Sequence, residues 1–112
     1  MATFEDFQKI QIKVGKIISA EAVEGSAKLL KLQVDFGKDE AGNDIVRQIC
    51  AGIAKFYPAD SLAGKEAVFV FNLEPKVLAG VESNGMILAA SSETGPVLLM
   101  PDKEVPPGAG IK

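Results

Sequence analysis

The chain has 112 residues, of which 47% are hydrophobic, so it is long enough for one domain with a modest core. It contains no histidine and a single cysteine, Cys50. A Ser-His-Asp triad, a Cys-His pair, an internal disulfide and a Cys/His zinc site are therefore excluded. The net charge of −3 argues against a non-specific polyanion binder, because such proteins bind mainly by neutralising phosphates.

Charge is unevenly distributed along the chain. Residues 1–31 carry five lysines against four acidic residues, whereas residues 35–44 carry one lysine against four acidic residues. Any surface for an anionic partner is therefore expected to be local. No apolar run approaches the roughly 18 residues of a membrane-spanning helix, and residues 1–6 lack the blocks of a signal peptide. We expect a cytoplasmic protein with no membrane partner.

The first third of the chain predicts a short helix and two strands. Residues 3–7 are typical of one helical turn, with Thr3 as its N-cap. Residues 12–23 are rich in strand formers, and Gly15 within them predicts a bend or a close backbone approach. Residues 30–36 alternate strictly between apolar and polar side chains, which predicts a half-buried strand.

The remainder predicts a polar hairpin loop, a short helix, three more strands and an apolar C-terminal piece. In chain order these are residues 37–44 (loop), 45–51 (strand), 58–63 (helix), 66–73 (strand), 85–90 (strand) and 97–100 (apolar). Cys50 lies in an apolar strand, which predicts a buried core thiol.

Five short strands with a helix between the third and the fourth follow the plan of an OB-fold barrel. We therefore predict an all-β protein, a single domain over residues 1–112, with a C-terminal extension beyond the barrel. Several strands are more continuously apolar than alternating, so a β-sandwich remains the alternative.

Several sequence blocks run in order through nearly the whole chain. They are residues 4–10 (FEDFQKI), 12–15 (IKVG), 23–26 (VEGS), 28–32 (KLLKL), 51–54 (AGIA) with Tyr57, and 82–90 (ESNGMILAA). At this spacing they resemble the tRNA-binding domain that occurs free-standing in bacteria and at the C-terminus of methionyl-tRNA synthetases. No synthetase catalytic domain accompanies them, which favours a separate protein, a subunit or an excised domain.

OB-folds bind oligonucleotides on strands 2 and 3 and on the loops joining strands 1–2 and 4–5, here residues 23–28 and 72–86. The resemblance implies that seven side chains lie on or near the RNA face: Lys13, Lys28, Lys31, Asn72, Lys76, Ser83 and Met86. The lysines are expected to contact phosphates, the two small polar residues sugar or base edges, and the methionine to offer an apolar platform.

The second loop departs from the family pattern. Family members usually carry a basic cluster of the Pro-Arg-Lys kind there, whereas this chain has Pro75-Lys76-Val77-Leu78-Ala79, preceded by Glu74. At least two expected positive charges are missing.

The leading hypothesis is a non-catalytic module that binds tRNA by shape and assists a methionyl-type aminoacyl-tRNA synthetase in cis or in trans. The resemblance also implies a homodimer, for which the apolar residues 97–100 are the predicted contact. No metal or organic cofactor is implied. The alternative is a protein-interaction or chaperone-like OB-fold dimer with weak or no affinity for tRNA.

Overall fold

The computed structural model describes residues 1–112 and begins with a short helix, α1 (Phe4–Gln8). Thr3 caps this helix as predicted. The Thr3 hydroxyl accepts a hydrogen bond from the Asp6 N–H at 3.1 Å, and the Asp6 carboxylate accepts one from the Thr3 N–H at 3.0 Å. This reciprocal capping box satisfies two amide groups that would otherwise lack partners. No helix of the chain is long and apolar enough to cross a membrane.

Three long strands form the frame of the molecule: β1 (Ile12–Ala22), β2 (Leu30–Lys38) and β3 (Asp44–Ala51). Each is antiparallel to the next along the chain. In β2, buried residues alternate with partly exposed ones over residues 30–36, which confirms the half-buried strand predicted from its pattern.

A single 3₁₀ turn, Ala59–Ser61, separates β3 from β4 (Glu66–Val70), which confirms the short helix predicted between the third and fourth strands. Six shorter strands follow. They are β5 (Lys76–Leu78), β6 (Val81–Ser83), β7 (Met86–Ile87), β8 (Ala89–Ser92), β9 (Gly95–Leu98) and β10 (Gly110–Ile111).

The main sheet has the order β3–β2–β1–β4–β7, and β10 pairs with the first residues of β1. This sheet curls until the segment before β7 reaches β3. The Asn84 N–H donates to the Gln48 carbonyl at 2.7 Å, and the Gln48 side-chain amide donates to the Glu82 carbonyl at 2.8 Å. The two edges of the sheet are thereby joined, so the fold is an OB-like barrel and not a sandwich.

Apolar side chains from β1 to β4 fill the barrel. Those without exposed surface include Ile17, Leu32, Val34, Ile49, Leu62 and Phe69. The Phe36 ring meets the Phe69 ring edge-to-face, with centroids 5.4 Å apart. A Cβ atom at Gly15 would lie 2.4 Å from Cγ1 of Val34. Gly15 therefore marks a close approach between β1 and β2, one of the two outcomes predicted for it.

Two predicted strands are shorter or more divided than the pattern indicated. The fourth ends at Val70, although the Phe71 N–H still donates to the Gln11 carbonyl at 2.7 Å. It ends there because the return bond is replaced: the Gln11 N–H donates to the Asn72 side chain at 2.7 Å and the Phe71 carbonyl accepts from Arg47 at 2.8 Å. Residues 85–90 hold two short strands, and the second of them, β8, pairs with β9 as a separate hairpin. Residues 72–86, predicted as a loop, contain the hairpin β5–β6. The C-terminal extension thus consists of the β8–β9 hairpin and β10.

Candidate nucleic-acid interface

The first predicted loop is a tight turn whose backbone is held by a serine. The Ser26 hydroxyl accepts hydrogen bonds from the N–H groups of Lys28 and Leu29 at 3.3 and 3.2 Å. The Lys28 carbonyl in turn accepts from the Ala54 N–H at 3.0 Å. This geometry fixes the backbone of Lys28 beside the end of β3 and leaves its side chain exposed to solvent.

Lys31 lies on the outer face of β2, because its neighbours Leu30 and Leu32 point into the core. It stands between two strands, opposite Glu21 on β1 and opposite Cys50 on β3. The Lys31 ammonium lies 3.8 Å from a Glu21 carboxylate oxygen, a half-exposed ion pair that partly neutralises it.

Cys50 is 6% exposed and free, which confirms its predicted burial, but it shares the outer face of the sheet with Lys31 and lies outside the core cluster of the barrel. Burial raises the pKa of the Cys50 thiol above its usual value, while the nearby positive charge of Lys31 acts in the opposite direction. The thiol is therefore protonated at neutral pH, and Lys31 lies close enough to influence it.

The second predicted loop is dominated by the β5–β6 hairpin. Lys76 lies opposite Ser83, and the chain reverses through Ala79 and Gly80, both with positive φ angles (49° and 78°). Positive φ at both central residues defines a type I′ turn. Lys76 is exposed and has no carboxylate partner within ion-pairing distance. The hairpin thus presents one positive charge that forms no ion pair, with Glu82 on its other strand.

Ser83 is buried, at 4% exposure, and its hydroxyl already has two partners. It accepts from the Cys50 N–H at 2.9 Å and donates to the Gly85 carbonyl at 3.2 Å. The structure therefore places Ser83 as a link between the hairpin and β3, beneath the surface on which the sequence predicted it.

Asn72 has a similar linking role at the start of the segment that joins β4 to the β5–β6 hairpin. Its side-chain oxygen accepts from the Gln11 N–H at 2.7 Å, and its side-chain nitrogen donates to the Lys9 carbonyl at 2.8 Å. Both ends of this amide are committed to the segment that joins α1 to β1.

A groove of about 210 Å³ separates the β5–β6 hairpin from the barrel. Its walls are formed by Cys50, Leu73, Glu74, Lys76, Leu78, Ser83, Gly85 and Met86. Three predicted site residues, Lys76, Ser83 and Met86, are thus brought together here. Lys31 adjoins the groove through Cys50, whereas Lys28, Lys13 and Asn72 do not line it.

Lys13 belongs to a second cationic cluster, which also contains a residue that the sequence reasoning missed. The Lys13 ammonium lies 4.2 Å from the centre of the Phe71 ring, and the Arg47 guanidinium lies 3.8 Å from it. Arg47 also donates to the Phe71 carbonyl at 2.8 Å. Arg47 is the only arginine of the chain and lies on predicted strand 3, one of the strands on which OB-folds bind oligonucleotides, so the sequence alone could have identified it.

The barrel topology, with lysines on β2 and on the connection after β4, places the chain in the class of OB-type barrels, which bind oligonucleotides and oligosaccharides. Residues 12–110 match the family described as "Putative tRNA binding domain", and the chain belongs to that family.

Individual relatives agree with this membership. The chain is 49% identical to the methionine–tRNA ligase of Methanothrix thermoacetophila over 109 residues, which cover 97% of the chain but only 15% of that ligase. A crystal structure of a MetRS-related protein from Pyrococcus horikoshii is 41% identical, with a TM-score of 0.88 and coverage of 100% of this chain and 98% of the other. The CsaA chaperone protein from Picrophilus torridus is 34% identical, with a TM-score of 0.87 and full coverage of both chains.

Proposed function

We propose that the chain is a non-catalytic module that binds tRNA and assists a methionyl-type aminoacyl-tRNA synthetase in cis or in trans, in the cytoplasm. The observation that carries the proposal is the family match over residues 12–110, which includes the groove and Lys76, a lysine that forms no ion pair. The relatives that are ligases contain this region as a small part of their length, which agrees with an accessory role.

The proposed RNA face comprises Lys76 and Met86, which line the groove, Lys31, which adjoins it through Cys50, and Lys28, Lys13 and Arg47 outside it. Lysines contact phosphates as flexible point charges, which position an RNA without reading its sequence. Recognition of tRNA by shape follows from such contacts. We assign Asn72 and Ser83 to holding this face in place, because their polar atoms already bind the protein backbone.

A titration of tRNA at several salt concentrations tests the proposal. Each phosphate contact contributes a slope of roughly −0.7 to −0.9 to the plot of log affinity against log salt. A face with this few lysines is therefore expected to give a total slope of about −2 to −4. Absence of tRNA binding even at low salt would refute the proposal.

A second candidate function is a chaperone-like interaction with other polypeptides. It is favoured by the likeness to the CsaA chaperone protein at 34% identity and by an apolar cleft at the chain termini. This cleft is lined in part by Phe4, Phe7, Ile10 and Ile111, all of them substantially exposed. Suppression of the aggregation of an unfolded substrate protein, together with no tRNA binding at low salt, would favour this second function.

We also propose that the chain acts as a homodimer through its C-terminal segment. Val97, Leu99 and Met100 are 50%, 43% and 44% exposed, whereas Leu98 between them is buried. Three exposed apolar side chains beside one another form a patch of the kind that monomers seldom present to water.

The dimer is tested by light scattering coupled to gel filtration, which is expected to give about twice the chain mass of 11.8 kDa. Leu99→Glu is expected to produce monomers. Phe7→Glu, in the terminal cleft, is the matched control and is expected to leave the dimer intact. The reverse result would move the interface to the cleft, and a wild-type monomer at micromolar concentration would refute the dimer.

A further inference from the structure

The groove beneath the β5–β6 hairpin has the size for one ring-sized group. Its volume of about 210 Å³ lies below the roughly 300–1,000 Å³ of pockets that take drug-sized ligands. Leu73, Leu78 and Met86 supply apolar walls, and Met86 is 46% exposed at the rim. A flat apolar group that enters from solvent would therefore be contacted from several sides.

Two charged groups of opposite sign line the same groove. Glu74 contributes a carboxylate, which only accepts hydrogen bonds, and Lys76 contributes an ammonium, which only donates them. The two groups form no ion pair with each other. Both are therefore free to bind a ligand that carries a donor and an acceptor on one edge.

We propose that this groove holds one unstacked nucleobase that carries both an exocyclic amino group and a carbonyl oxygen, namely cytosine or guanine. The amino group donates to Glu74, and the carbonyl oxygen accepts from Lys76. Adenine lacks the carbonyl and uracil lacks the amino group, so each leaves one of the two charged groups unpaired. This inference rests on the proposed RNA-binding function and adds to it a preference at one nucleotide.

The proposal is consistent with how proteins read RNA. Sequence-specific recognition mainly uses single-stranded positions, where a splayed base offers its edge to side chains. The Lys76 ammonium has three N–H donors, so it can contact a phosphate and the base carbonyl at once. Shape recognition by the surrounding lysines and identity recognition at the groove are therefore compatible.

The test measures the binding of hexauridylates in which the third base is replaced by cytosine, guanine, adenine or an abasic site. We expect the cytosine or guanine hexamer to bind about tenfold more tightly than the uracil, adenine and abasic hexamers, as for one good side-chain pair with a base edge. Equal affinities across the series would overturn the inference.

Glu74→Ala separates the base contact from general charge effects. It removes the acceptor and one negative charge, so binding of the uracil, adenine and abasic hexamers is expected to strengthen slightly, while the cytosine or guanine hexamer weakens and loses its roughly tenfold advantage. Glu40→Ala is the matched control, since Glu40 lies in the β2–β3 turn at the opposite end of β2 from Lys31. The control is expected to keep the preference, and a preference that survives Glu74→Ala would overturn the inference.

Cys50, the only cysteine, lines the groove and reports its occupancy. Methyl methanethiosulfonate converts an accessible thiol to a methyl disulfide, slowly here because burial raises the pKa of Cys50. At ten times its Kd, the cytosine or guanine hexamer is expected to slow the reaction about tenfold. The abasic hexamer at the same saturation is expected to give no protection.

The outcomes separate this inference from the function on which it rests. Salt-dependent tRNA binding without base preference and without protection of Cys50 would overturn the inference and leave the proposed function standing. No binding of tRNA or of any hexamer would overturn both. Protection of Cys50 by an apolar peptide but not by any hexamer would assign the groove to polypeptides and would also overturn the inference.

Discussion

The hairpins β2–β3 and β5–β6 both reverse the chain through a turn with positive φ, but different forces hold them. The first has strands of nine and eight residues that bury Leu32, Val34 and Ile49 in the core. The second has three residues per strand, and Ser83 is its only buried residue. Isolated two-stranded hairpins are marginally stable in water, so β5–β6 depends on its hydrogen bonds to β3, namely the Cys50 N–H to the Ser83 hydroxyl and the Gln48 amide to the Glu82 carbonyl.

The turns of the two hairpins also differ in how firmly their backbones are held. In the first, the Asp39 carboxylate accepts from the Ala41 and Asn43 N–H groups, both at 2.9 Å, and glycine occupies the position with φ of 85° at residue 42. In the second, an alanine occupies a left-handed position with φ of 49°. The β2–β3 hairpin therefore contributes to the stability of the barrel core, whereas the β5–β6 hairpin is free to present charged groups to a ligand.

The largest expected effect concerns the core hairpin. Leu32→Ala removes a side chain with no exposed surface, so it is expected to lower the free energy of unfolding by about 2–5 kcal/mol. Urea unfolding followed by circular dichroism measures this loss. The affinity of the remaining folded protein for tRNA is expected to be unchanged.

Val77→Ala in the other hairpin is the counterpart, because Val77 is 66% exposed. Its effect on unfolding is expected to lie within about 0.5 kcal/mol. If Val77→Ala lowered the free energy of unfolding as much as Leu32→Ala, the β5–β6 hairpin would contribute to stability as much as the β2–β3 hairpin, and the distinction between them would be wrong.

The next effect concerns binding alone. Lys76→Glu replaces the unpaired positive charge of the second hairpin with a negative one, in a segment that already carries Glu74 and Glu82. Loss of one charge-assisted contact costs about 1.5–3 kcal/mol, and repulsion of phosphate adds to it, so tRNA binding is expected to be nearly abolished. Filter binding or fluorescence anisotropy at low salt measures the change.

Lys65→Glu is the control for net charge, since Lys65 is exposed at the end of β4 opposite to the one that pairs with Met86. Both variants are expected to keep their unfolding midpoint. If Lys65→Glu weakened binding as much as Lys76→Glu, the effect would be one of overall charge and the hairpin would not be the RNA surface.

The same two hairpins mark what the sequence allows one to predict. The period-two alternation over residues 30–36 identified β2 and its buried face, because seven residues are enough to display the period. The three-residue strands β5 and β6 are too short to do so, and the region was predicted as a loop. The family resemblance nevertheless selected the residues around the groove, Lys76, Ser83 and Met86.

Side-chain partners distant in the sequence could not be predicted. Ser83 binds an amide 33 residues away, and Asn72 binds backbone groups 61 and 63 residues away. A polar residue in a loop predicts a surface contact unless the fold supplies such a partner. Arg47 was missed for a related reason, because its contact with Phe71 forms only when the barrel closes.

A third prediction concerns the two positive charges that the family pattern expects in the second loop and that this chain lacks. Val77→Lys with Ala79→Arg is expected to tighten tRNA binding, each new phosphate contact adding on the order of 1 kcal/mol at low salt. Val77 lies opposite Glu82 across the hairpin, so the new lysine is partly neutralised there. Adding Glu82→Gln is therefore expected to tighten binding further.

Anisotropy titrations of the double and triple variants check this expectation, and thermal unfolding confirms that they are folded. Should both bind tRNA no better than the parent chain, the hairpin is not the RNA surface. The assignments of Lys76 and Met86 to that surface would then be withdrawn.

The smallest expected effects come from substitutions at the left-handed positions of the two turns, Gly42 and Ala79. Gly42→Ala places a Cβ atom at a left-handed position, where an L-residue costs roughly 1–2 kcal/mol, although no neighbouring atom obstructs it. Ala79→Asn does the reverse, because asparagine followed by glycine is the preferred pair in a type I′ turn. We expect Gly42→Ala to lower the free energy of unfolding by about 1 kcal/mol and Ala79→Asn to raise it by about 0.5 kcal/mol. Urea unfolding measures both changes in the free energy of unfolding. Hydrogen exchange at the Val81 amide shows whether the change caused by Ala79→Asn arises in the β5–β6 hairpin. Slower exchange at Val81 without a gain in the free energy of unfolding would mean that the β5–β6 hairpin opens independently of the barrel, so that the two hairpins belong to independent units.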